Sequence, residues 1–337
     1  MEFVEIEKVN QEAAPTLVDV AHRAGVNKVT ASIVLSGGSG NTRVSEATRQ
    51  RIVQAAADLH YQPNAVARSL RNRRTHTIGY YMSGPLDMRD VFLSEIASGL
   101  QQGCEQNRHD FLMHGTFRGR YTDEVYTHLL NGKIDGLVLH VENDDPLMPR
   151  LAASRLPVIA VANPVPDLPS VTVDDAAGSR LIAQHLAGKG HRRIMYAASS
   201  FPLTSAIRRH AAFMDLVEEF GLEVNTASTS EPSKVAETIL QMSAQRRPTA
   251  VVCWNDLTAY RLIQQLSVLG IRVPGDIAVT GFDGFTSQVP PAYILTTVRA
   301  PWHEVAKTAV DLLCSANGKQ PVGETIFPVE LVVGETT

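Results

Sequence analysis

The sequence predicts two joined folds, an N-terminal all-α headpiece and a larger α/β body built from two doubly wound parallel sheets. Three observations carry this. Between Thr16 and Leu70, short amphipathic helical patterns are separated by turn residues. From Thr77 onward, short β-rich runs alternate with helical segments, as parallel strands covered by helices do. Charge divides at the same place: residues 15–75 carry nine Lys and Arg against Asp19, Glu46 and Asp58, a net +6, whereas residues 76–337 sum to −7. A basic head on an acidic body is the electrostatic footprint of a nucleic-acid-binding module joined to something else.

In the headpiece, Thr16 caps a first helix, with Asp19 favouring its positive end and Leu17, Val20 and Ala21 on one face. Gly25 supplies a left-handed turn. Asn27 caps a second helix whose Val34 and Leu35 pack back on the first. This is a helix-turn-helix pattern, in which the second helix lies in the DNA major groove. An ordinary helical hairpin shares that beginning, but the continuation argues against one. A polar loop, Ser36–Thr42, leads to a third helix capped by Ser45, with an apolar stripe of Ala47, Ile52, Ala55, Ala56 and Leu59. Asn64, after Pro63, then caps Ala65–Leu70. Six residues are too few to be helical alone in water, so this helix is expected to form against DNA and a second copy of itself.

The 337 residues, 44% of them apolar, suit a protein of more than one domain with a sizeable core. Cys104, Cys253 and Cys314 are scattered without metal-ligand spacing and read as free thiols in a reducing cytoplasm. No apolar run approaches the ~18 residues of a membrane span. Met1–Lys8 is acidic where a signal peptide would be basic and then apolar, so residues 1–14 read as a disordered tail.

Strands of the body are expected at 78–82, 111–114, 136–140, 158–161, 193–197, 250–254, 277–281, 295–299 and 327–333, about ten in all. Helices are expected near 92–107, 176–187, 205–220, 235–242 and 256–269, with another running to about Ser315. Ligands of open parallel sheets bind at the carboxyl ends of the strands.

Three blocks now support a specific resemblance: Thr16–Ser36, Val44–Arg49, and Tyr61-Gln-Pro-Asn-Ala-Val-Ala-Arg-Ser-Leu70. In order and spacing the chain resembles the lac repressor/gal repressor family of bacterial transcription regulators, with only the first fourteen residues outside the match. The resemblance implies a body shaped like the periplasmic sugar-binding proteins. Its expected division is a helix-turn-helix domain at 15–62, a hinge helix and linker at 63–75, and two lobes, one about 76–162 and 286–298, the other about 163–285 and 299–337. Chain crossings between lobes are expected near Asn163–Val173 and Thr286–Leu295. The chain ends at Thr337 without the leucine-rich tail of tetrameric members, so a homodimer is expected.

By the same resemblance, Lys28, Val29 and Ile33 discriminate bases of a palindromic operator, while Thr16, Thr30 and Ser32 support docking on the backbone. Asn64, Ala67, Arg68 and Leu70 belong to the hinge helix, which enters the minor groove with Leu70 as a wedge. The effector site is expected from Asp87, Phe92, Asn163, Arg209, Trp254, Asn255, Asp256 and Asp283. Arg209 would donate paired hydrogen bonds to hydroxyls or a carboxylate. Capping is the structural alternative for Asn255 and Asp256, and turn formation for Asp283.

Two other functions are weaker. No phosphate-binding loop follows the first strand: Gly37–Gly40 lies between helices, and Gly188–Arg192 reads as a helix end and turn. Asp174–Asp175 begin a helix and fit capping better than catalysis, so no enzyme, cofactor or metal is expected. A sugar transporter's solute-binding component would share the body but not the headpiece. The expectation is a cytoplasmic, ligand-controlled transcription regulator, a repressor, answering to a sugar or sugar derivative.

Overall fold

The computed structural model describes residues 14–35, 44–84, 87, 89–114, 122–228, 231–285 and 293–337. The expected N-terminal tail up to residue 13 and the Ser36–Thr42 loop lie outside them. The chain divides into two compact units, Met1–Thr75 and His76–Thr337.

The first unit contains α1 (Leu17–Ala24), α2 (Lys28–Leu35), α3 (Glu46–Asp58) and α4 (Ala65–Asn72). Thr16 and Asp19 form a reciprocal capping box: the Thr16 N–H donates to Asp19 Oδ2 at 2.8 Å, and the Asp19 N–H to Thr16 Oγ1 at 3.4 Å. Those bonds hold the Asp19 carboxyl below the usual carboxylate range. Gly25, at φ +65°, ends α1 in the left-handed conformation that a β-carbon disfavours. Asn27 Oδ1 accepts from the Thr30 N–H at 2.8 Å, and Ser45 Oγ from the Thr48 N–H at 3.3 Å. The caps fix helix starts; burial fixes their packing. Val20, Ala21 and Ala24 of α1 meet Ala31 and Val34 of α2 and Ile52, Ala55 and Ala56 of α3, with Leu17, Leu35, Leu59 and Tyr61 around the edge. Small side chains let three short helices approach closely enough to share one core.

In the second unit the strands are β1 (Thr77–Met82), β2 (Asp110–His114), β3 (Gly136–His140), β4 (Val158–Val161), β5 (Ser170–Val173), β6 (Arg193–Ala198), β7 (Glu223–Ser228), β8 (Ala250–Cys253), β9 (Ala278–Asp283), β10 (Thr296–Arg299), β11 (Glu324–Phe327) and β12 (Glu330–Val332). They form two six-stranded sheets, ordered β11-β5-β4-β3-β1-β2 and β12-β10-β9-β8-β6-β7. All neighbours are parallel except β12, which runs antiparallel to β10. Central strands are buried on both faces and read as near-continuous apolar runs, which is why the sequence announces them.

The lobe boundaries differ from expectation. β5 remains in the first sheet, buried along its whole length, so the first crossing follows Val173 rather than preceding it. β10 pairs with β9 in the second sheet, so both strands belong to one lobe, while residues 286–292 of the crossing expected near Thr286–Leu295 lie outside the described residues. The chain crosses after Arg299, into α13 (Trp302–Ser315), and α13 packs on α5 (Val91–Gln106) against the first sheet. The expected strand at 327–333 is two strands in different sheets, β11 and β12, joined through Pro328, which makes a third crossing. The α5–α13 contact is close. A β-carbon at Gly99 would lie 2.2 Å from the His303 carbonyl oxygen, and one at Gly103 2.9 Å from Val310.

The remaining helices are α6 (Thr122–Leu129), α7 (Met148–Ala152), α8 (Asp175–Gly188), α9 (Thr204–Met214), α10 (Val217–Phe220), α11 (Pro232–Gln241) and α12 (Asp256–Val268). The single helix expected over 205–220 is α9 and α10, broken at Asp215–Leu216. Cys104 and Cys253 are buried free thiols, whereas Cys314 is half-buried with its sulfur 3.7 Å from His109 Nδ1.

Candidate functional site

In the headpiece, the face of α2 turned away from the core carries the residues expected to read bases. Lys28 and Val29 are exposed, and Thr30, Ser32 and Ile33 are half-buried. An isoleucine can touch a thymine methyl but offers no hydrogen bond to a base edge. Thr30 gives its hydroxyl hydrogen to Asn27 Oδ1 at 3.0 Å, which leaves its oxygen able to accept. α4 runs two residues beyond the expected Leu70, its start capped by Asn64 Oδ1, which accepts from the Val66 and Ala67 N–H groups at 2.8 and 3.2 Å. Val66 and Leu70, one turn apart, are 66% and 77% exposed. Two large apolar side chains on one face of an eight-residue helix need a covering partner.

In the second unit, a cavity of about 260 Å³ lies between the lobes. Its walls come from the carboxyl ends of β1, β3 and β4 in one sheet and of β6, β8 and β9 in the other, where open parallel sheets place their ligands. Five aromatic residues, Phe92, Phe201, Trp254, Phe285 and Trp302, line it. Phe92 meets Trp302 edge-on at 5.3 Å and the His140 ring at 5.1 Å. Polar lining comes from Ser83, Asp90, His140, Glu142, Ser205, Arg209, Asn255 and Asp283.

Arg209 organises one wall. Its Nε donates to Asp175 Oδ1 at 2.8 Å and its Nη1 to the Trp254 carbonyl at 3.0 Å. Nη1 also lies 3.7 Å from Asp283 Oδ1, and the guanidinium stacks 3.6 Å over Phe282. Arg209, Asp175 and Asp283 are all buried. Burial pushes the carboxyls of Asp175 and Asp283 up, against the lowering pull of Arg209, and Asp283 goes far above its ordinary value. Asp283 also accepts from Trp302 Nε1 at 3.3 Å. Its backbone is strained at φ +137°, and a β-carbon on the following Gly284 (φ +70°) would sit 2.4 Å from Arg299 Cα. Burial likewise holds the His140 imidazole below its usual range, while Nδ1 faces the Val161 carbonyl at 3.1 Å.

Phe92, Arg209, Trp254, Asn255 and Asp283 thus meet at one cavity as expected. Asn255 does two jobs: Oδ1 accepts from the Thr258 N–H at 2.9 Å, capping α12. Three expected residues do not line the cavity. Asp87 forms an exposed bidentate pair with Arg89, at 2.7 Å, which drops its carboxyl to about 2. Asp256 points away: its carboxylate accepts from Thr297 Oγ1 and from the Gly284 and Phe285 N–H groups at 2.8 and 3.2 Å, so it builds the loop after β9. Asn163 is fully buried between the lobes, where its Nδ2 donates to the Val141 carbonyl at 2.6 Å. Asp175 corrects another reading. Asp174 alone caps α8, accepting from the Ala177 N–H at 2.8 Å, whereas Asp175 turns inward to Arg209. Residues missed from sequence, among them Asp90, His140, Glu142, Ser205 and Trp302, have no local signal that separates them from ordinary strand-end and helix-start residues.

A lacI-family model of bacterial regulatory proteins matches residues 16–64, and a periplasmic binding protein-like domain model matches residues 183–337. The HTH-type transcriptional repressor PurR of Vibrio vulnificus (strain CMCP6) is 30% identical over 334 residues, covering 95% of this chain and 98% of its own. The chain belongs to the lacI family. As a member it is a DNA-binding transcription regulator, with the family's helix-turn-helix ahead of a two-lobed α/β domain. Among solved structures, the lac repressor dimer bound to operator and the anti-inducer ONPF matches at TM-score 0.81 and 25% identity, over 96% of this chain and 99% of that one. A transcriptional regulator CelR–cellobiose complex matches at TM-score 0.67 and 25% identity, over 96% and 100%. No helix among the described residues is long and apolar enough to cross a membrane.

Proposed function

We propose that this lacI-family member is a cytoplasmic repressor that reads a palindromic operator as a homodimer and answers to an uncharged, hydroxyl-rich effector, a sugar or sugar derivative, held between its lobes. The observation carrying the ligand class is the mixture lining the cavity: five aromatic rings beside Asn255, Asp90, Glu142 and Asp283, with Arg209 the lining cation, already paired with Asp175. Sugar hydroxyls donate to carboxylate and amide oxygens, and the C–H face of the ring stacks on aromatics. An anionic ligand would face carboxylates with little unshared positive charge to meet it. This narrows the role expected of Arg209, which then serves hydroxyls rather than a carboxylate. Similar proteins solved with cellobiose and with ONPF support a small-molecule effector.

On DNA, Lys28, Val29, Thr30, Ser32 and Ile33 form the major-groove face, with Thr16 at the backbone. Asn64, Ala67, Arg68 and Leu70 form the minor-groove element, Leu70 wedging between bases. Basic side chains here predict a steep fall of affinity with salt.

Two experiments test the reading. Selection of random duplexes by the purified protein near physiological salt is expected to return a short palindrome, and an asymmetric site would overturn the dimeric reading. Calorimetric titration with panels of neutral sugars, sugar acids and nucleosides is expected to give binding with a neutral sugar. Binding only with acids or nucleosides would overturn the ligand class while leaving the regulator intact.

A further inference from the structure

α9 carries Arg209, yet it begins without a cap of its own. Leu203 stands at the N-cap position and has no side-chain acceptor, so the first N–H groups must find partners elsewhere. They find them in the opposite lobe. The Thr204 N–H donates to Asn143 Oδ1 at 3.0 Å, and the Thr204 hydroxyl to the same oxygen at 2.6 Å. The Ser205 N–H donates to Asn163 Oδ1 at 3.1 Å, with the Ser205 hydroxyl at 3.4 Å. A backbone bond from the Asn143 N–H to the Pro202 carbonyl, at 2.9 Å, closes the set.

Asn143 follows β3 and Asn163 follows β4, both strands of the first sheet, whereas α9 packs with α8 beside the second. The two asparagines are tied to each other, Asn163 Nδ2 lying 3.3 Å from Asn143 Oδ1. Asn163 is aimed by a strained three-residue turn: Ala162 has φ +63°, and the Asn163 N–H bonds back to the Val161 carbonyl at 2.7 Å. Arg209 lies one turn beyond Ser205 on the same face of α9, and both line the cavity.

We infer that Asn143 and Asn163 are positioning residues that cap α9 from across the cleft, so that closure of the lobes and the seating of Arg209 are one event. This goes beyond the ligand assignment and stands whichever small molecule occupies the cavity. When the lobes separate, α9 loses its acceptors for Thr204 and Ser205 together. Whatever steadies Arg209 steadies the cap, and the coupling is reciprocal.

The two amides are not equivalent, which makes the inference testable without a ligand. Asn143 uses Oδ1 throughout, as an acceptor, so a carboxylate can replace it. Asn163 uses both ends of its amide, since Nδ2 donates to the Val141 carbonyl, so a carboxylate there sets oxygen against oxygen. In the full-length protein, hydrogen exchange at the Thr204 and Ser205 amides is expected to quicken about fivefold in Asn143→Leu, the effect of one lost cap. Asn143→Asp is expected to keep wild-type exchange, and Asn163→Asp to match Asn143→Leu. Iodide quenching of tryptophan emission reads the cleft itself. Of the two tryptophans Trp302 is buried, leaving half-buried Trp254 at the cavity as the reporter. Quenching is expected to rise in Asn143→Leu and not in Asn143→Asp. Unchanged exchange and quenching in Asn143→Leu, or equal increases in Asn143→Asp, would overturn the inference. The half-buried Asn143 pair decides even if Asn163→Asp does not fold.

Discussion

α4 and α9 are both started by asparagine oxygens, and there the likeness ends. α4 takes its cap from Asn64, the residue immediately before it, and leaves Val66 and Leu70 bare. α9 takes its caps from Asn143 and Asn163, sixty-one and forty-two residues back from Thr204 and Ser205, and buries Ala206, Arg209 and Phe213. One helix is specified locally and lacks a partner for its surface. The other has its surface provided for and depends on another lobe for its start. A helix of the first kind responds to what it docks on, and one of the second kind to where the lobes stand.

The largest expected effect strikes the buried side of α9. Arg209→Ala leaves Asp175 and Asp283 without their counter-charge, and urea unfolding of the body is expected to lose about 3–5 kcal/mol. Loss of effector response in that variant would therefore not separate ligand contact from instability. Leu70→Ala should do the reverse: stability holds, because the side chain is 77% exposed, while operator affinity falls about 10- to 100-fold and non-specific binding barely changes. Equal losses on both DNAs would remove the wedge. Asn64→Ala is expected to cost about 1 kcal/mol of α4 formation, seen as weaker operator binding with an unaltered body unfolding transition.

A further expected effect concerns pH. Because burial raises the Asp283 carboxyl, the folded state holds that proton more tightly than the unfolded chain. Its contribution is therefore fully present below the ordinary aspartate range and is lost as pH rises through the folded value. The stability of wild type relative to Asp283→Asn should fall as pH rises, and a difference that grows instead would reverse the sign.

The same contrast explains what was legible in the sequence. Thr16, Asn27, Ser45 and Asn64 were readable as caps because donor and acceptor lie within three residues. Buried central strands were readable from apolar runs, whereas β7, an edge strand exposing Glu223, Asn225 and Thr226, was not. Arg209, Asn255 and Asp283 were found by resemblance. Asn163 and Asp256 were misassigned because a strand-end asparagine or aspartate can face a cavity or bond a neighbouring element, and only the fold decides which. Asp175 reads as a helix-start cap and Asn143 as nothing in particular, since their true partners lie thirty-four and sixty-one residues away.

The three passages of the chain between lobes bear on how such a molecule can be divided. β11 completes the first sheet with residues 324–327, drawn from beyond nearly all of the second. Any cut between β1 and β11 therefore breaks the first sheet, and recombination there joins pieces that must already fit. The headpiece is different: one peptide, between Thr75 and His76, separates its compact unit from the rest. A single splice at that peptide exchanges the DNA-reading part and leaves the cavity between the lobes whole.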